Sequence, residues 1–228
     1  MARSYLVTGA SRGLGLEMVR QLSRRGERVI ATARKRGTAE EAAGMAARFI
    51  ELDVTDEKSV AKAAAELRGE AVDVLINNAG VTDTDKAVGE LSAGAFRKVF
   101  EANVYAPALL TQALLPSLRA GKARVVANIS SQLGSLTLMG QMGGGFSHAY
   151  CASKAALNMV TVRMAVDLKA EGFIVATIHP GWVKTDMGGP NAPLLAADSI
   201  AQLLGRIDRL KAGDTGKFFN YDGKPMPW

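Results

Sequence analysis

The chain has 228 residues, of which 48% are hydrophobic and 22% charged, an ordinary globular mixture that suits a single domain over residues 1–228. The net charge of +6 comes from scattered basic residues, so we expect no nucleic-acid partner. No apolar run approaches the ~18 residues of a membrane span, and residues 1–10 already read as a strand and a turn, so we expect neither a membrane partner nor a leader peptide. A single cysteine, Cys151, excludes an internal disulfide and favours a cytoplasmic location.

Short β-branched runs alternate with longer helical stretches, which is the rhythm of βαβ units in a parallel sheet. Thr55 is predicted to cap the third helical segment, and Pro107 to kink or break the long stretch that contains it. In chain order the predicted elements are strand 4–7, helix 14–25, strand 28–33, a short Ala/Glu-rich segment, strand 47–52, helix 56–67, strand 72–76, helical stretch 92–118, strand 124–129, helix 149–171, strand 174–179, a Gly/Pro-rich loop 180–193, helix 196–210 and strand 217–220.

This order predicts an α/β protein with a three-layer doubly wound (Rossmann) fold around a central seven-stranded parallel sheet. Ligands of such folds bind at the carboxyl ends of the strands. The loops that follow the strands are therefore the places to search for a site.

Three glycines lie in the segment between the first strand and the first helix, residues 8–15, which we call the glycine turn. Gly9, Gly13 and Gly15 are spaced G-x-x-x-G-x-G, unlike the commoner G-x-G-x-x-G dinucleotide fingerprint. Glycines allow a tight turn and let the backbone approach a pyrophosphate at the helix N-terminus. A plain tight turn is the alternative, but the position within a βαβ unit favours dinucleotide binding.

Arginines near the glycine turn predict which dinucleotide binds. An acid about 20 residues downstream usually reads a ribose 2′-hydroxyl, whereas arginine accommodates a 2′-phosphate. Arg34, Lys35 and Arg36 come at the end of the second strand with no acid in reach, and Arg12 lies inside the glycine turn. Because guanidinium groups match phosphate geometry, we expect NADP(H) and, less so, NAD(H). The alternative is that all four cations are solvated surface charges.

Tyr150 and Lys154 are four residues apart, which places a phenol and an ammonium group on one face of a helix. Alone the pair is weak evidence, because about one such chain in five would contain one by chance. A free phenol has a pKa of ~10. One cation at ~4 Å in an effective dielectric of ~20 would stabilise the phenolate by roughly 4 kcal/mol, which predicts a pKa near ~7 for Tyr150.

Further motifs follow the strands along nearly the whole chain. They are the glycine turn, Asp53, Asn77-Asn78-Ala79-Gly80, Asn103, Ser130-Ser131, Tyr150 with Lys154, and Pro180-Gly181 with Thr185. Together they resemble the short-chain dehydrogenase/reductase family. Segments 179–189 and 220–225 are similar to sniffer-type carbonyl reductases and C-factor signalling proteins.

This resemblance implies hydride transfer between NADP(H) and a small-molecule substrate, an aldehyde or ketone or a secondary alcohol. Tyr150 would donate or take the proton on the substrate oxygen, and Ser131 would hydrogen-bond that oxygen. Lys154 would bind the nicotinamide ribose and lower the pKa of Tyr150, while Asn103 would hold a water that links Lys154 to solvent. The implied cofactor-binding residues are Gly9, Ser11, Arg12, Gly13, Leu14, Gly15, Arg34, Asp53, Val54, Asn78, Ala79, Gly80, Tyr150, Lys154, Pro180, Gly181, Val183 and Thr185.

Two serines compete for the catalytic position. Ser131 is favoured because Gly134 follows it by three residues, as in the family pattern, and Ser130 is then a structural hydroxyl. His148 and His179 are the only histidines, so we expect no metal site. His148 is interpreted as a loop residue and Cys151 as a packed one.

Two questions stay open at this level. Large apolar residues, among them Trp182 and Met187, either wall a pocket for an apolar carbonyl compound or serve packing and subunit contacts. The family resemblance implies a homodimer or homotetramer. The rival function is a dinucleotide-binding signalling protein that acts through a partner, although an intact set of four catalytic residues argues for turnover.

Overall fold

A computed structural model describes residues 2–84 and 87–228, and its centre is one parallel sheet. The seven strands lie in the order β3-β2-β1-β4-β5-β6-β7, which confirms the doubly wound fold and puts the topological switch point between β1 and β4. The strands are β1 (Ser4–Val7), β2 (Arg28–Ala33), β3 (Arg48–Glu51), β4 (Val74–Asn77), β5 (Val125–Ile129), β6 (Ile174–His179) and β7 (Phe218–Asn220).

Helices connect the strands and cover both faces of the sheet. In residues 2–84 and 87–228, none of them is long and apolar enough to span a bilayer. They are α1 (Gly13–Arg24), α2 (Glu40–Met45), α3 (Glu57–Glu66), α4 (Ala93–Phe100), α5 (Ala106–Ala113), α6 (Leu115–Ala120), α7 (Leu136–Met139), α8 (His148–Leu168) and α9 (Ala196–Asp208).

The core consists of two apolar layers, one on each face of the sheet. Tyr5 and Val7 of β1 point to the layer formed with α1 and α9, where Leu22 is fully buried. Leu6 points to the opposite layer, with Leu110 of α5. Because side chains alternate along a strand and both faces are covered, all four residues of β1 are buried.

The long helical stretch predicted at 92–118 is interrupted, as the presence of Pro107 indicated. A π-helical turn, Glu101–Tyr105, joins α4 to α5, and Pro107 lies in the first turn of α5, where its missing N–H does least harm. The hydroxyl of Thr111 donates to the carbonyl of Pro107, one turn earlier in α5, at 2.7 Å. A further break at Leu114 separates α5 from α6.

The prediction that Thr55 caps α3 is wrong. The cap is Asp56, whose carboxylate accepts the N–H of Lys58 at 3.0 Å. The hydroxyl of Thr55 instead donates to the carboxylate of Asp53 at 2.7 Å. Asp53 also accepts the backbone N–H of Thr55 at 3.0 Å, so Thr55 is held in a turn with Asp53, and Asp56, the residue directly before α3, provides the cap.

Candidate active site

The glycine turn joins β1 to α1 with two residues in the left-handed region, Gly9 at φ 69° and Gly13 at φ 54°. A methyl group at Gly15 would overlap the carbonyl oxygen of Gly9, so the helix approaches the turn as closely as only glycine permits. Ser11 and Leu14 are partly buried in the same turn. The first turn of α1 carries no acidic residue, so its backbone N–H groups and positive dipole end suit a phosphate.

Thr8 locks the glycine turn to the turn that follows β4. Its hydroxyl accepts the backbone N–H groups of Asn78 and Ala79, each at 2.9 Å, and the side-chain amide of Asn78 donates to the carbonyl of Thr8 at 2.8 Å. Thr8 enters the sequence prediction only as the first residue of the glycine turn, with no role of its own. Its place at the end of the first strand, before Gly9, was the available signal.

Tyr150 lies in the first turn of α8, and its phenol hydrogen-bonds with Ser131, which follows β5. Lys154 is one helical turn further along and almost fully buried. Its ammonium nitrogen lies 5.6 Å from the centre of the Tyr150 ring and donates to the carbonyl of Ile129 at 2.9 Å. The three side chains that the sequence singled out therefore meet at the carboxyl edge of the sheet.

The expected pKa near 7 for Tyr150 is wrong for this arrangement. Burial raises the pKa of Tyr150 to about 12, and the hydrogen bond with Ser131 opposes only part of that rise. Burial also lowers the pKa of Lys154 to about 8. Attraction between the two groups favours both ionised forms, but removing each charge from water acts against both, and here this desolvation dominates.

Asn103 lies in the π-helical turn and is buried. Its side-chain amide donates to the carbonyl of Val81 at 2.9 Å and to the hydroxyl of Ser153 at 3.0 Å, and its oxygen accepts the N–H of Val81 at 2.9 Å. Asn103 thus ties the loop after β4 to α8. The expected water link to Lys154 stays a prediction.

Gly134 explains the spacing that favoured Ser131. A methyl group at Gly134 would lie 2.7 Å from the main-chain carbon of Lys154, so only glycine lets this turn pack on α8. Ser130 is buried and donates to Asn158 at 2.8 Å, the structural role that we predicted. Asn158 in turn donates to the carbonyl of Gly134 at 3.1 Å.

The charged residues expected around the adenosine ribose lie near the ends of β2 and β3. Arg34 is exposed directly after β2. The sheet register puts Glu51 beside Ala33, an acid that sequence reading along β2 did not find. The carboxylate of Glu51 accepts the backbone N–H of Arg36 at 2.8 Å. Asp53 and Val54, the other predicted contacts, follow β3, where Val54 is partly buried against the core.

The loop after β6 folds towards the glycine turn. Gly181 has φ 87°, and Val183 is buried. The methyl group of Thr185 would lie 3.7 Å from a Cβ at Gly13. Arg12 and Asp186 form an ion pair of 2.8 Å between the glycine turn and this loop, with both side chains 76% exposed.

The segments after β5 and β6, including α7, also present large apolar side chains. Leu136 is 78% exposed, Trp182 53% and Met187 52%, so packing within the described chain does not account for them. The indole N–H of Trp182 donates to the carbonyl of Gly188 at 2.7 Å, which fixes the ring on its loop.

The remaining candidates, His179, Cys151 and His148, are described by their burial and their place in the fold. Burial lowers the pKa of His179 to about 4 and raises the pKa of Cys151, which keeps the imidazole neutral and the thiol protonated. His148 is the first residue of α8 rather than a loop residue. Within the described residues, no three side chains of the metal-ligating types come together.

Comparison with known proteins places this geometry in a family. The family model for short chain dehydrogenases matches residues 3–193. The chain is 46% identical to the C-signal protein of Myxococcus xanthus over 157 residues, 69% of this chain and 93% of that protein.

Solved structures agree with that match. An NADPH-bound carbonyl reductase from chicken fatty liver superposes with a TM-score of 0.91 at 35% identity, over 100% of this chain and 99% of the other. The carbonyl reductase Sniffer of D. melanogaster has a TM-score of 0.91 at 32% identity and full coverage of both chains. The chain therefore belongs to the short-chain dehydrogenase/reductase family of oxidoreductases.

Proposed function

We propose that this protein is an NADPH-dependent carbonyl reductase that acts on an aldehyde or ketone. The observation that carries the proposal is the hydrogen bond between Tyr150 and Ser131, with Lys154 beside them, at the same sheet edge as the glycine turn. A proton donor and an oxygen-binding hydroxyl next to a phosphate cradle are what carbonyl reduction requires of the protein.

The pKa of Tyr150 favours reduction. A phenol whose pKa is raised to about 12 is protonated at neutral pH, so it is ready to give its proton to the carbonyl oxygen. Ser131 would hold that oxygen by a hydrogen bond. The ammonium group of Lys154, with a pKa of about 8, is mostly charged at neutral pH and would stabilise the phenolate that forms. NADPH, when bound, would supply the hydride.

NADP(H) rather than NAD(H) is proposed from charge. Arg34 is exposed at the end of β2, and Arg12 reaches out of the glycine turn. The only acid that the register brings beside the end of β2 in the described residues, Glu51, is engaged by the backbone of Arg36. Arginine suits a 2′-phosphate, whereas a free carboxylate there would bind the 2′-hydroxyl of NAD.

The test is NADPH oxidation by the purified protein with a panel of aldehydes and ketones. Tyr150→Phe should lose about 10²–10⁴-fold in kcat, the usual share of a general acid. Tyr105→Phe is the matched control, because Tyr105 is 55% exposed on the π-helical turn and should keep full activity. No turnover in the panel, or equal activity of Tyr150→Phe and the wild type, would refute the proposal.

A second function is favoured by the identity with the C-signal protein. As a signalling protein, the chain would bind the cofactor and act through a partner without turnover. Its biological effect would then survive Tyr150→Phe, whereas an effect that depends on carbonyl reduction would be lost. Measuring both turnover and phenotype for that single variant separates the two.

We also propose a homodimer or homotetramer in the cytoplasm. Helices α5 and α8 expose the apolar side chains of Leu109, Met159 and Val166 at 43%, 62% and 58%. Exposed apolar groups on helices favour a subunit contact. Light scattering of the purified protein would measure the mass directly, and a monomer at micromolar concentration would contradict this proposal.

A further inference from the structure

The side chains of Asp83 and Ser147 meet at the start of α8, although they are 64 residues apart in sequence. The hydroxyl of Ser147 donates to the carboxylate of Asp83 and accepts the backbone N–H of Tyr150 at 3.0 Å. Because a hydroxyl has one proton, donating it to Asp83 turns a lone pair towards Tyr150. The carboxylate therefore sets the direction of the bond that caps this helix.

Ser147 is well suited to transmit such an effect. It is only 7% exposed, so its hydroxyl has little access to water as a substitute partner. Tyr150 is the third residue of α8, inside the first turn that the cap defines. A change in the cap would therefore directly alter the backbone that carries the Tyr150 phenol.

Residues 80–83, the segment that contains Asp83, also contact residues around Lys154. Val81 makes two backbone hydrogen bonds with the side chain of Asn103, each 2.9 Å long. A methyl group at Gly80 would lie 3.7 Å from the ammonium nitrogen of Lys154. Residues 80–83 thus contact Ser147, which caps the helix that carries Tyr150, and Asn103, which lies near Lys154.

We propose that Asp83 and Ser147 are positioning residues for Tyr150. Through Ser147, Asp83 fixes the first turn of α8 so that the phenol stays against Ser131. The catalytic consequence rests on the proposed function, whereas the structural consequence for α8 does not. The competing role is an ordinary helix cap, which would add stability without affecting the reaction.

Steady-state kinetics of Asp83→Ala and Ser147→Ala test this proposal. Each variant should lose about tenfold in kcat, because misplacing a reacting group lowers the rate of the chemical step. The KM for NADPH should stay within about twofold, since the glycine turn is untouched. Asp83→Asn retains an oxygen that accepts the Ser147 hydroxyl and should recover most of the rate. The double variant should be no slower than either single one, because both substitutions break the same hydrogen-bonded chain from Asp83 through Ser147 to the backbone of Tyr150.

Ser92→Ala is the matched control. Ser92 caps α4 by accepting the N–H of Ala95 at 3.0 Å, the same bond over the same spacing, and no proposed catalytic residue lies in α4. Both serine variants should lose thermal stability, but only Ser147→Ala should lose kcat. If Ser147→Ala keeps the kcat of Ser92→Ala, or if Asp83→Asn shows no recovery, the positioning role is wrong.

Amide hydrogen exchange gives a readout that does not need turnover. In Asp83→Ala and Ser147→Ala, peptides covering residues 148–152 should exchange faster than in Ser92→Ala. Should the wild type reduce no carbonyl compound, the proposed function fails, and faster exchange would still support the ordering of α8 by Asp83. Unchanged exchange would overturn it. If Asp83→Ala does not fold, Ser147→Ala and Asp83→Asn provide the same comparison.

Discussion

The two sides of the candidate site are built in different ways. In the glycine turn, Thr8 is hydrogen-bonded to the turn after β4, and a methyl group at Gly15 has no room. The segments after β5 and β6 instead present the exposed side chains of Leu136, at the start of α7, and Trp182. Because the glycine turn would bind a pyrophosphate through its backbone, it suits dinucleotides in general and specifies only that class of cofactor. Exposed side chains can change without disturbing the fold, so the substrate preference is expected to reside there.

The largest effect is expected from Gly15→Ala, which tests the rigid side. The added methyl group would overlap the carbonyl of Gly9 and approach the side-chain amide of Asn78. We expect a loss of roughly 3 kcal/mol in the free energy of unfolding, measured by denaturant titration, together with lost NADPH binding. Gly143→Ala in the loop after β5 is the control, since a methyl group there would meet no described atom within 4 Å. Equal effects of the two changes would contradict the comparison.

Acid pH should reveal the effect of a buried base, His179, at the end of β6. Burial lowers the pKa of His179 to about 4, so the unfolded chain binds a proton below about pH 6.5 while the folded protein does not. Stability is therefore complete above pH 6.5 and falls as the pH drops towards 4, by up to about 3 kcal/mol. Thermal unfolding across pH 4–7 measures this slope. His179→Gln should flatten it, and an unchanged slope would assign the acid sensitivity to other groups.

Arg34→Ala tests the proposed preference of the site for NADPH over NADH. Arg34 is exposed, so its removal should leave stability unchanged within about 0.5 kcal/mol. Losing a charged contact with a 2′-phosphate should weaken NADPH binding about tenfold and NADH binding hardly at all. Fluorescence titration with both cofactors gives the ratio. Equal weakening of both would remove Arg34 from 2′-phosphate recognition.

The smallest change in stability is expected for Leu136→Ala on the substrate side. With its side chain 78% exposed, its truncation should alter the free energy of unfolding by less than about 0.5 kcal/mol. A raised KM for apolar carbonyl compounds, with the NADPH affinity kept, would support a substrate contact. If neither constant changes, Leu136 belongs to another surface of the molecule.

The sequence predicted much of the fold because the signals are local. Strands buried on both faces read as short β-branched runs, and all seven appear within one or two residues of their expected bounds. The glycine turn was recognisable because left-handed residues and close approach require glycine. The prediction of Thr55 as a cap failed although its neighbours are also local, because Asp53 holds Thr55 in a turn and Asp56 directly precedes α3.

The sequence by itself determined the order of strands and helices, the glycine turn, and the spacing of Tyr150 and Lys154 on one helix face. Only the tertiary structure decided that burial raises the pKa of Tyr150 to about 12, and that Asp83 reaches Ser147 across 64 residues. Spacing along a chain fixes which face a residue takes. Desolvation and long-range hydrogen bonds depend instead on which elements pack together, and that is a property of the folded protein.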